Sequence, residues 1–439
     1  MQQTEPGKPG VDLHAILRVG GAVFAVLLAL LLAAACLSSY MEWLNAPSDV
    51  IAYWQGGTNA MNGEPLYVES HDQAHYRPFL YPPAFAAFFS MFVRLGPRFG
   101  LALWAVTHLL FGFLLIRALH AWVAEHVKKP WPWLAVLILL VLFEVFWMEL
   151  QEGQVNTLVS LLVFTGLLRT LRGKEISGGA LLAAAVHLKV FPVMIVGVLL
   201  LQKRFRAVGW IIGFCVLLCF LPALASIGHV GLVDSFKYTF DSQLGWIQEV
   251  MLPAMGKGSV AGENYLRGPN LSLRAVGYRW FVNDIETGEP LVFHLPFVLI
   301  KLGALAISLS LVGMSLWFSR KSARNEVATV VWASVCVFSM QIGSLLYWDH
   351  HMILLAAPLA ALYMLARSTK GGWRKLVVVL PMLITATLIH LVVFANILWG
   401  TPRKWHALNE SLLWGLPLFS AIILAVSVGW FHRPKPETA

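Results

Sequence analysis

Charged residues are scarce in this chain. Of its 439 residues, 13% are Asp, Glu, Lys or Arg, and 58% are hydrophobic. A soluble domain carries about 25% charged residues, the amount that clothes its surface in water. A chain with half that fraction does not read as a soluble globular protein. Cysteine is nearly absent. Cys36, Cys215, Cys219 and Cys336 are the whole complement, and each lies in or at the edge of an apolar run. That pattern does not suggest a disulfide-stapled scaffold or a zinc-knuckle module. No pair of potential ligands has the spacing of a structural zinc site, and the run Asp349-His350-His351 stands alone. Internal repeats are missing, as are low-complexity segments beyond the short polar tails. The paired halves of many secondary transporters would leave such a repeat.

What the chain does have is repeated apolar runs of about 17–25 residues, long enough to cross the hydrocarbon core of a bilayer. They are apolar all round and do not alternate, so they read as helices and not as barrel strands. The fold class is therefore an all-α polytopic membrane protein with about 12 transmembrane helices. Spans are expected near 15–37, 100–118, 131–148, 154–168, 207–227, 293–318, 326–346, 351–367, 375–397 and 409–431. Segment 176–201 is broken at "HLKVFP", where Pro192 lacks an N–H donor and clashes with the preceding turn. It reads as a helical hairpin, 176–188 rising and 190–201 descending, with Lys189 at its top. Residues 82–96, after "YPP", read as a juxtamembrane or half-dipping helix. The 18 Trp and 26 Phe suit interfacial belts and crowded helix packing.

Basic residues choose the orientation. Lys8, Arg18, Arg117, Lys128, Lys129, "RTLRGK" (169–174), "QKRFR" (202–206), "RKSAR" (320–324), Arg367 to Lys375 and "RPK" (433–435) all fall on one side, the cytoplasmic one by the positive-inside rule. The net charge of +9 follows from these loops and calls for no nucleic acid. Residues 38–77 hold five acids against one Arg, and 228–290 hold seven acids against five bases, so both read as outer loops. The organisation is a cytoplasmic tail (1–14), one transmembrane domain (15–431) and a second cytoplasmic tail (432–439), in the plasma (inner) membrane.

A charge at membrane depth costs about 2.5–3.5 kcal/mol even on lenient scales, so polar groups there call for a reason. Under this topology Asp49, Arg77, Glu149, Glu152, Gln154, Asn156, His187, Lys189, Asn270, Arg274, Asp349, His350 and His351 converge on the outer interface. A transporter more often gathers such groups near the midplane. A cluster at one surface, beneath two long outer loops, suits chemistry on a lipid head group. Each residue also has a plainer reading. Asp49 suits the N-terminus of a helix beginning at Val50. Lys189 suits a side chain that snorkels to the interface. His350 and His351 suit ordinary interfacial residues, and Tyr53, Trp54, Tyr76 and Tyr81 suit an aromatic belt. "GPNLSLR" suits a turn.

The order of the pieces carries more than any one of them. The stretch "DVIAYWQGGTNAMNGEPLY…YRPFLYPPAFAAFFSMFVRLG", then "ELQEGQVNTLVSLL", "HLKVFPVMIVGVLLLQKRFRAV", "GPNLSLRAVGYR" and "YWDHHMILLAAPLAAL" resembles the GT-C superfamily of membrane glycosyltransferases. The likeness is greatest to glycosyltransferase family 87, the polyprenyl-phosphate-mannose-dependent α-1,2-mannosyltransferases. It runs from about Asp49 to Leu362 and is strongest in the first loop. The "GQ" and "K-x-x-P" elements support it. In "NLSL", Leu271 stands where that family usually has Gln.

The resemblance implies a polyprenyl-phosphate sugar donor, a lipid or glycan acceptor, membrane lipids as surroundings and action on the outer face. It puts the family's first-loop acid at Asp49. Many relatives carry an Asp-x-Asp pair there, whereas this chain has Ser48-Asp49-Val50, so no metal and no cofactor are expected. As the sugar–phosphate bond breaks, the sugar gains oxocarbenium character and the acceptor hydroxyl must lose a proton. Asp49 is the expected base. Lys189, Arg274, His350 and His351 are the expected holders of the phosphate. Gln154, Asn156 and Asn270 suit sugar hydroxyls, and Tyr53 or Trp54 suits stacking on a sugar face. Arg77, Tyr81, Glu152 and His187 complete the expected substrate contacts. Two other classes are compatible with the composition. One is a lipid or glycan transporter (a flippase). The other is an O-antigen ligase or polymerase-type enzyme, which usually relies on a large outer loop rich in Arg and His. The main outer loop here has only His229 and His294 near its margins.

Overall fold

The computed structural model of the chain describes residues 13–45, 48–67, 78–128, 145–255, 270–282, 292–344 and 349–372, with a few isolated positions beside them. Among the described residues every regular element is helical. In chain order these are α1 (Leu13–Trp43), α2 (Asp49–Asn62), α3 (Pro83–Val93), α4 (Gly96–His126), α5 (Val145–Glu152), α6 (Asn156–Leu171), α7 (Glu175–Leu188), α8 (Met194–Leu201), α9 (Phe205–Leu218), α10 (Leu221–Val230), α11 (Leu232–Gly245), α12 (Leu252–Met255), α13 (Leu273–Phe281), α14 (Phe297–Lys321), α15 (Glu326–Ile342) and α16 (Ala356–Ser368). Local chemistry sets several of the ends. Proline opens α3, α4 and α10, where its missing N–H is not needed. Asn325 and Ser272 cap α15 and α13, accepting from Ala328 N at 3.0 Å and Ala275 N at 3.2 Å.

Among the described residues, four helices are long and apolar enough to cross a bilayer: Gly96–His126, Phe205–Val230, Phe297–Lys321 and His350–Ser368. There are five if α5 and α6, bent by 119° at the Gly153 break, cross together. The chain is therefore a membrane protein, but among the described residues the 12 spans read from the sequence are not confirmed. Part of the difference is length. Helices α6, α7 and α15 have 16, 14 and 17 residues, below the roughly 20 that span hydrocarbon. The expected spans at 375–397 and 409–431, and most of 131–148, lie outside the described residues. Residues 82–96 hold the short apolar helix α3, whose 11 residues are too few for a full span; it ends at Val93, before α4 begins at Gly96, and is mostly buried against α2, α4 and α10. The expected outer loops are also largely helical where described. Segment 38–77 contains α2. Segment 228–290 contains α11, whose exposed Val233, Phe236, Phe240 and Leu244 recur in the pattern of a helix lying in the membrane interface.

The hairpin at Lys189 is present. Gly179 lies against Trp210, and eight residues on His187 Nε2 is 2.9 Å from the carbonyl oxygen of Cys215. Both contacts advance in the same sense, so α7 and α9 run parallel and Phe191–Leu201 returns the chain between them. The lower ends meet where Arg206 approaches Glu175 at 3.5 Å. The same end of the bundle holds a network on Arg172. Its guanidinium donates to both Glu125, at the end of α4, and Glu326, at the start of α15 (2.8 Å from Nε). Glu326 also accepts from Trp122 Nε1 at 3.0 Å. The Arg172 bonds hold the Glu326 carboxyl below the usual carboxylate range. Basic loops and ion pairs thus gather at one end, and Lys189 is carried to the other, about 21 Å away by helix rise along α7.

Glycines let α7 pass between α6 and α9. A Cβ at Gly178 would lie 2.7 Å from the Gly166 carbonyl oxygen and 2.8 Å from the Thr170 amide. Such close backbone approach is the usual packing of small residues between membrane helices. Gly178→Val should therefore destabilise the protein by about 1–3 kcal/mol, the range for overpacking. The check is the thermal unfolding midpoint in detergent, and an unchanged midpoint would show that the approach of α6 and α7 is not tight.

Candidate active site

The turn between α5 and α6 is the centre of the site. Gly153 sits at φ +67°, a conformation glycine adopts without strain. Ring donors from other helices hold the turn's carbonyls. Trp43 Nε1 donates to Gln151 O at 2.7 Å, and Trp104 Nε1 donates to Gly153 O at 2.9 Å. His108, buried on α4, lies between the carbonyl oxygens of Trp104 (2.9 Å) and Gln154 (2.7 Å). Glu149, fully buried, closes the turn from below. Its carboxylate accepts from Thr157 N at 2.6 Å and from Asn156 Nδ2 at 2.8 Å, capping α6. A carboxylate at a helix N-terminus is favoured by the helix dipole.

The turn thereby fixes one buried amide, that of Gln154. Its Nε2 donates to Asp49 Oδ2 at 2.5 Å. Its Oε1 accepts from Lys189 Nζ at 3.1 Å and lies 3.0 Å and 3.1 Å from the hydroxyls of Tyr53 and Tyr81. Charge dictates this orientation. A carboxylate only accepts and an ammonium only donates, so the amide must turn its NH₂ to Asp49 and its oxygen to Lys189. Lys189 is at the extended residue that ends α7. It is 8% exposed, so it does not snorkel to water. It also faces His351 Nε2 at 3.0 Å and lies over the Tyr81 ring at 5.4 Å. Because the ammonium has no acceptor, His351 Nε2 accepts. The His351 ring in turn stacks on Tyr347, with centroids 5.5 Å apart.

Asp49 is the first residue of α2, with Ser48 before it. The amide of Asp49 donates to Glu152 Oε2 at 3.4 Å, while its carboxylate is directed to Gln154. Asp49 is partly exposed, as are Tyr81 and Glu152, while Tyr53, Gln154, Lys189 and His351 are buried. The structure thus brings together Asp49, Tyr53, Tyr81, Glu152, Gln154, Lys189 and His351, with His350 packed on His351 at 4.7 Å.

Other expected residues serve elsewhere. The Tyr53 ring has no open face, being enclosed by Tyr81, Phe85, Phe89 and Trp104, and only its hydroxyl reaches the cluster. Trp54 packs on Phe89 and over Gly100, so it is part of the α2–α4 core and not a platform at the cluster. His187 turns to α9 through the Cys215 carbonyl. Asn156 is bonded to Glu149. Asn270 is a clasp. Its Oδ1 accepts from Ser272 N at 2.9 Å and Tyr347 N at 3.1 Å, which ties the start of α13 to the segment that carries His351. Arg274 lies on α13, half-buried, with its Nε enclosed and without a partner. Arg77 and the side chain of Asp349 lie outside the described residues. The sequence reading passed over Trp43, Trp104, His108 and Tyr347. Aromatic residues and a histidine in apolar runs are too common there to stand out, and only the turn they clasp distinguishes them.

The sequence pattern of Glycosyltransferase family 87 matches residues 79–346 of the chain. The match takes in Tyr81, Gln154, Lys189, Asn270 and Gln341, and begins after Asp49. Comparison with curated proteins finds none that matches.

The bridge makes a direct demand on stability. Gln154→Leu leaves the Asp49 and Lys189 side chains without their shared partner. Loss of a buried hydrogen-bond partner costs about 1–3 kcal/mol, so the unfolding midpoint in detergent should fall. A midpoint equal to that of the wild type would show that the amide bridge contributes nothing to the fold.

Proposed function

Because the chain belongs to glycosyltransferase family 87, we propose that it moves a hexose, with mannose the first choice, from a polyprenyl-phosphate donor to a lipid or glycan acceptor. The reaction takes place at the outer face of the plasma membrane and inverts the anomeric carbon. One observation carries this reading: a partly exposed carboxylate and a buried ammonium are held at the two ends of one amide. That is the pair of charges a single displacement needs. The acceptor hydroxyl gives its proton to Asp49, its oxygen bonds to the anomeric carbon, and the phosphate departs with the electrons of the broken C–O bond. The partial exposure of Asp49 supports an acceptor approaching there. The phosphate goes to Lys189, which spends two of its three N–H donors on Gln154 and His351 among the described residues and keeps one for an anion.

In this reading Tyr53, Tyr81 and Gln154 hold the charged pair in place, and residues 15–431 act as one transmembrane domain. Asp49→Asn should keep the fold and lower transfer by at least about 100-fold through loss of the base. Lys189→Gln should lower kcat as well as weaken donor binding, since its charge matters most as the leaving phosphate develops. Lys189→Arg should recover part of the loss, because charge is kept while head-group shape changes. Lys203→Gln, at the exposed turn before α9, should leave turnover unchanged. The assay is transfer from a synthetic polyprenyl-phosphate mannose to membrane-extracted acceptor at matched protein amounts. Near-normal turnover of the Asn variant removes Asp49 as base, and equal behaviour of the Lys189 and Lys203 variants removes Lys189 from the phosphate site.

Orientation has its own test. Glu64 and Arg324 are exposed at opposite ends of the bundle. In a background without native cysteines, an impermeant maleimide should label Glu64→Cys in intact cells and Arg324→Cys only after permeabilisation. The reverse pattern would put the site in the cytoplasm, where a nucleotide sugar would be the expected donor.

A further inference from the structure

Among the described residues Gln341 is a conspicuous idle polar group. It lies in the last turn of α15 and is 2% exposed, yet neither its Nε2 nor its Oε1 has a hydrogen-bond partner. A buried amide with both ends unmet is costly, and native proteins carry few of them. Helix α15 is buried nearly all round, and beyond its first turn its other polar side chains are the small Ser334 and Ser339, whose hydroxyls bond to their own helix, so a hydrophobic residue would suit the position of Gln341 better.

Its height in the bundle matches that of the site. Glu326 at the start of α15, Arg172 at the end of α6 and Glu175 at the start of α7 share the lower end. From Glu326 to Gln341 the helix rises about 22 Å, from Arg172 back to Asn156 about 24 Å, and from Glu175 to Lys189 about 21 Å. Laterally, α15 packs on α6, on Phe191–Val193 just after Lys189, and on the turn Asp349–Leu355 that carries His351. Phe338 lies three residues before Gln341, on the same helix face. The Phe338 ring meets Tyr347 at 5.9 Å, and Tyr347 stacks on His351 at 5.5 Å.

From this placement we infer that Gln341 is a substrate-binding residue whose amide holds hydroxyl groups of the donor's sugar beside the Lys189–His351 pair. A sugar hydroxyl both donates and accepts, so a pair of neighbouring hydroxyls answers both ends of the amide at once. An apolar lipid chain answers neither. A phosphate, which only accepts, leaves Oε1 unmet. The inference rests on the glycosyl-transfer reading of the site and adds to it the residue that recognises the sugar.

The test compares two lipids on the detergent-solubilised full chain: a synthetic polyprenyl-phosphate mannose and the same polyprenyl phosphate without sugar. The wild type should be stabilised by both, and more by the sugar-bearing lipid. Gln341→Met keeps length and removes the amide. It should unfold at or above the wild-type temperature in the absence of lipid, because an unmet polar group is gone. It should bind the sugar-free lipid as the wild type does and the sugar-bearing lipid about tenfold more weakly, the effect of one good hydrogen bond to substrate. Gln341→Asn keeps the amide but withdraws it, and should lose the same increment. If Gln341→Met retains the full gain from the sugar, the amide is a packing feature or binds internal water, and the inference falls while the transfer reading stands. If the wild type binds neither lipid, the reading of the site falls and this inference with it.

Discussion

Everything distinctive about this protein depends on keeping a buried ammonium and a nearby carboxylate apart but satisfied. Taking charges out of water is expensive, and a direct ion pair would repay part of that cost while tying up both groups. Here the amide of Gln154 stands between them. It offers NH₂ to Asp49 and its oxygen to Lys189, so each charge is met by a dipole instead of by the other charge. Asp49 stays partly exposed, and among the described residues Lys189 gives two of its three N–H donors, to Gln154 and His351. That holds only if the amide cannot rotate away, and so the backbone that carries it must be rigid.

The α5–α6 turn supplies that rigidity through contacts distant in sequence. Trp43 comes from α1, Trp104 and His108 from α4, and all three meet carbonyls of residues 151–154. Gly153 permits the turn's backbone conformation. A Cβ there would stand 2.8 Å from Val50 Cβ, in the first turn of the helix that carries Asp49. Below the turn, Glu149 caps α6. Low dielectric strengthens these bonds and penalises any left unmade. The same logic makes Gln341 informative, since nothing among the described residues answers it.

Short helices are part of this arrangement. A helix that crosses the whole bilayer places its ends at the surfaces, whereas helices that stop short end beside the long ones. Helix α7 stops at Lys189, α6 starts at Asn156 and α15 stops at Ile342, each about 21–24 Å above the lower end by helix rise. Their ends bring backbone turns and polar side chains to one level inside the bundle. The long helices α4 and α14 pass alongside and carry the framework.

Periodicity and composition suffice for the class of molecule. Continuous apolar runs have one stable solution in lipid, the helix, because every backbone N–H and C=O must be met internally. The hairpin at Lys189 was legible for the same local reason, since Pro192 cannot continue the helix before it. The motif order led to the family, and Asp49, Gln154, Lys189 and His351 were singled out because polar residues in apolar surroundings are conspicuous. What sequence could not supply was the sorting of those residues. Asn270 and Asn156 carry the same amide as Gln154, yet one clasps Tyr347 and the other braces Glu149. Nor could it reveal that Trp104 and His108 clasp the turn while Trp54 only fills space. An amide or a ring takes its role from the group it faces. For the bonds of Gln154, Lys189 and His108 those groups lie 35 to 162 positions away, and only the packing of the helices brings them within 3.1 Å.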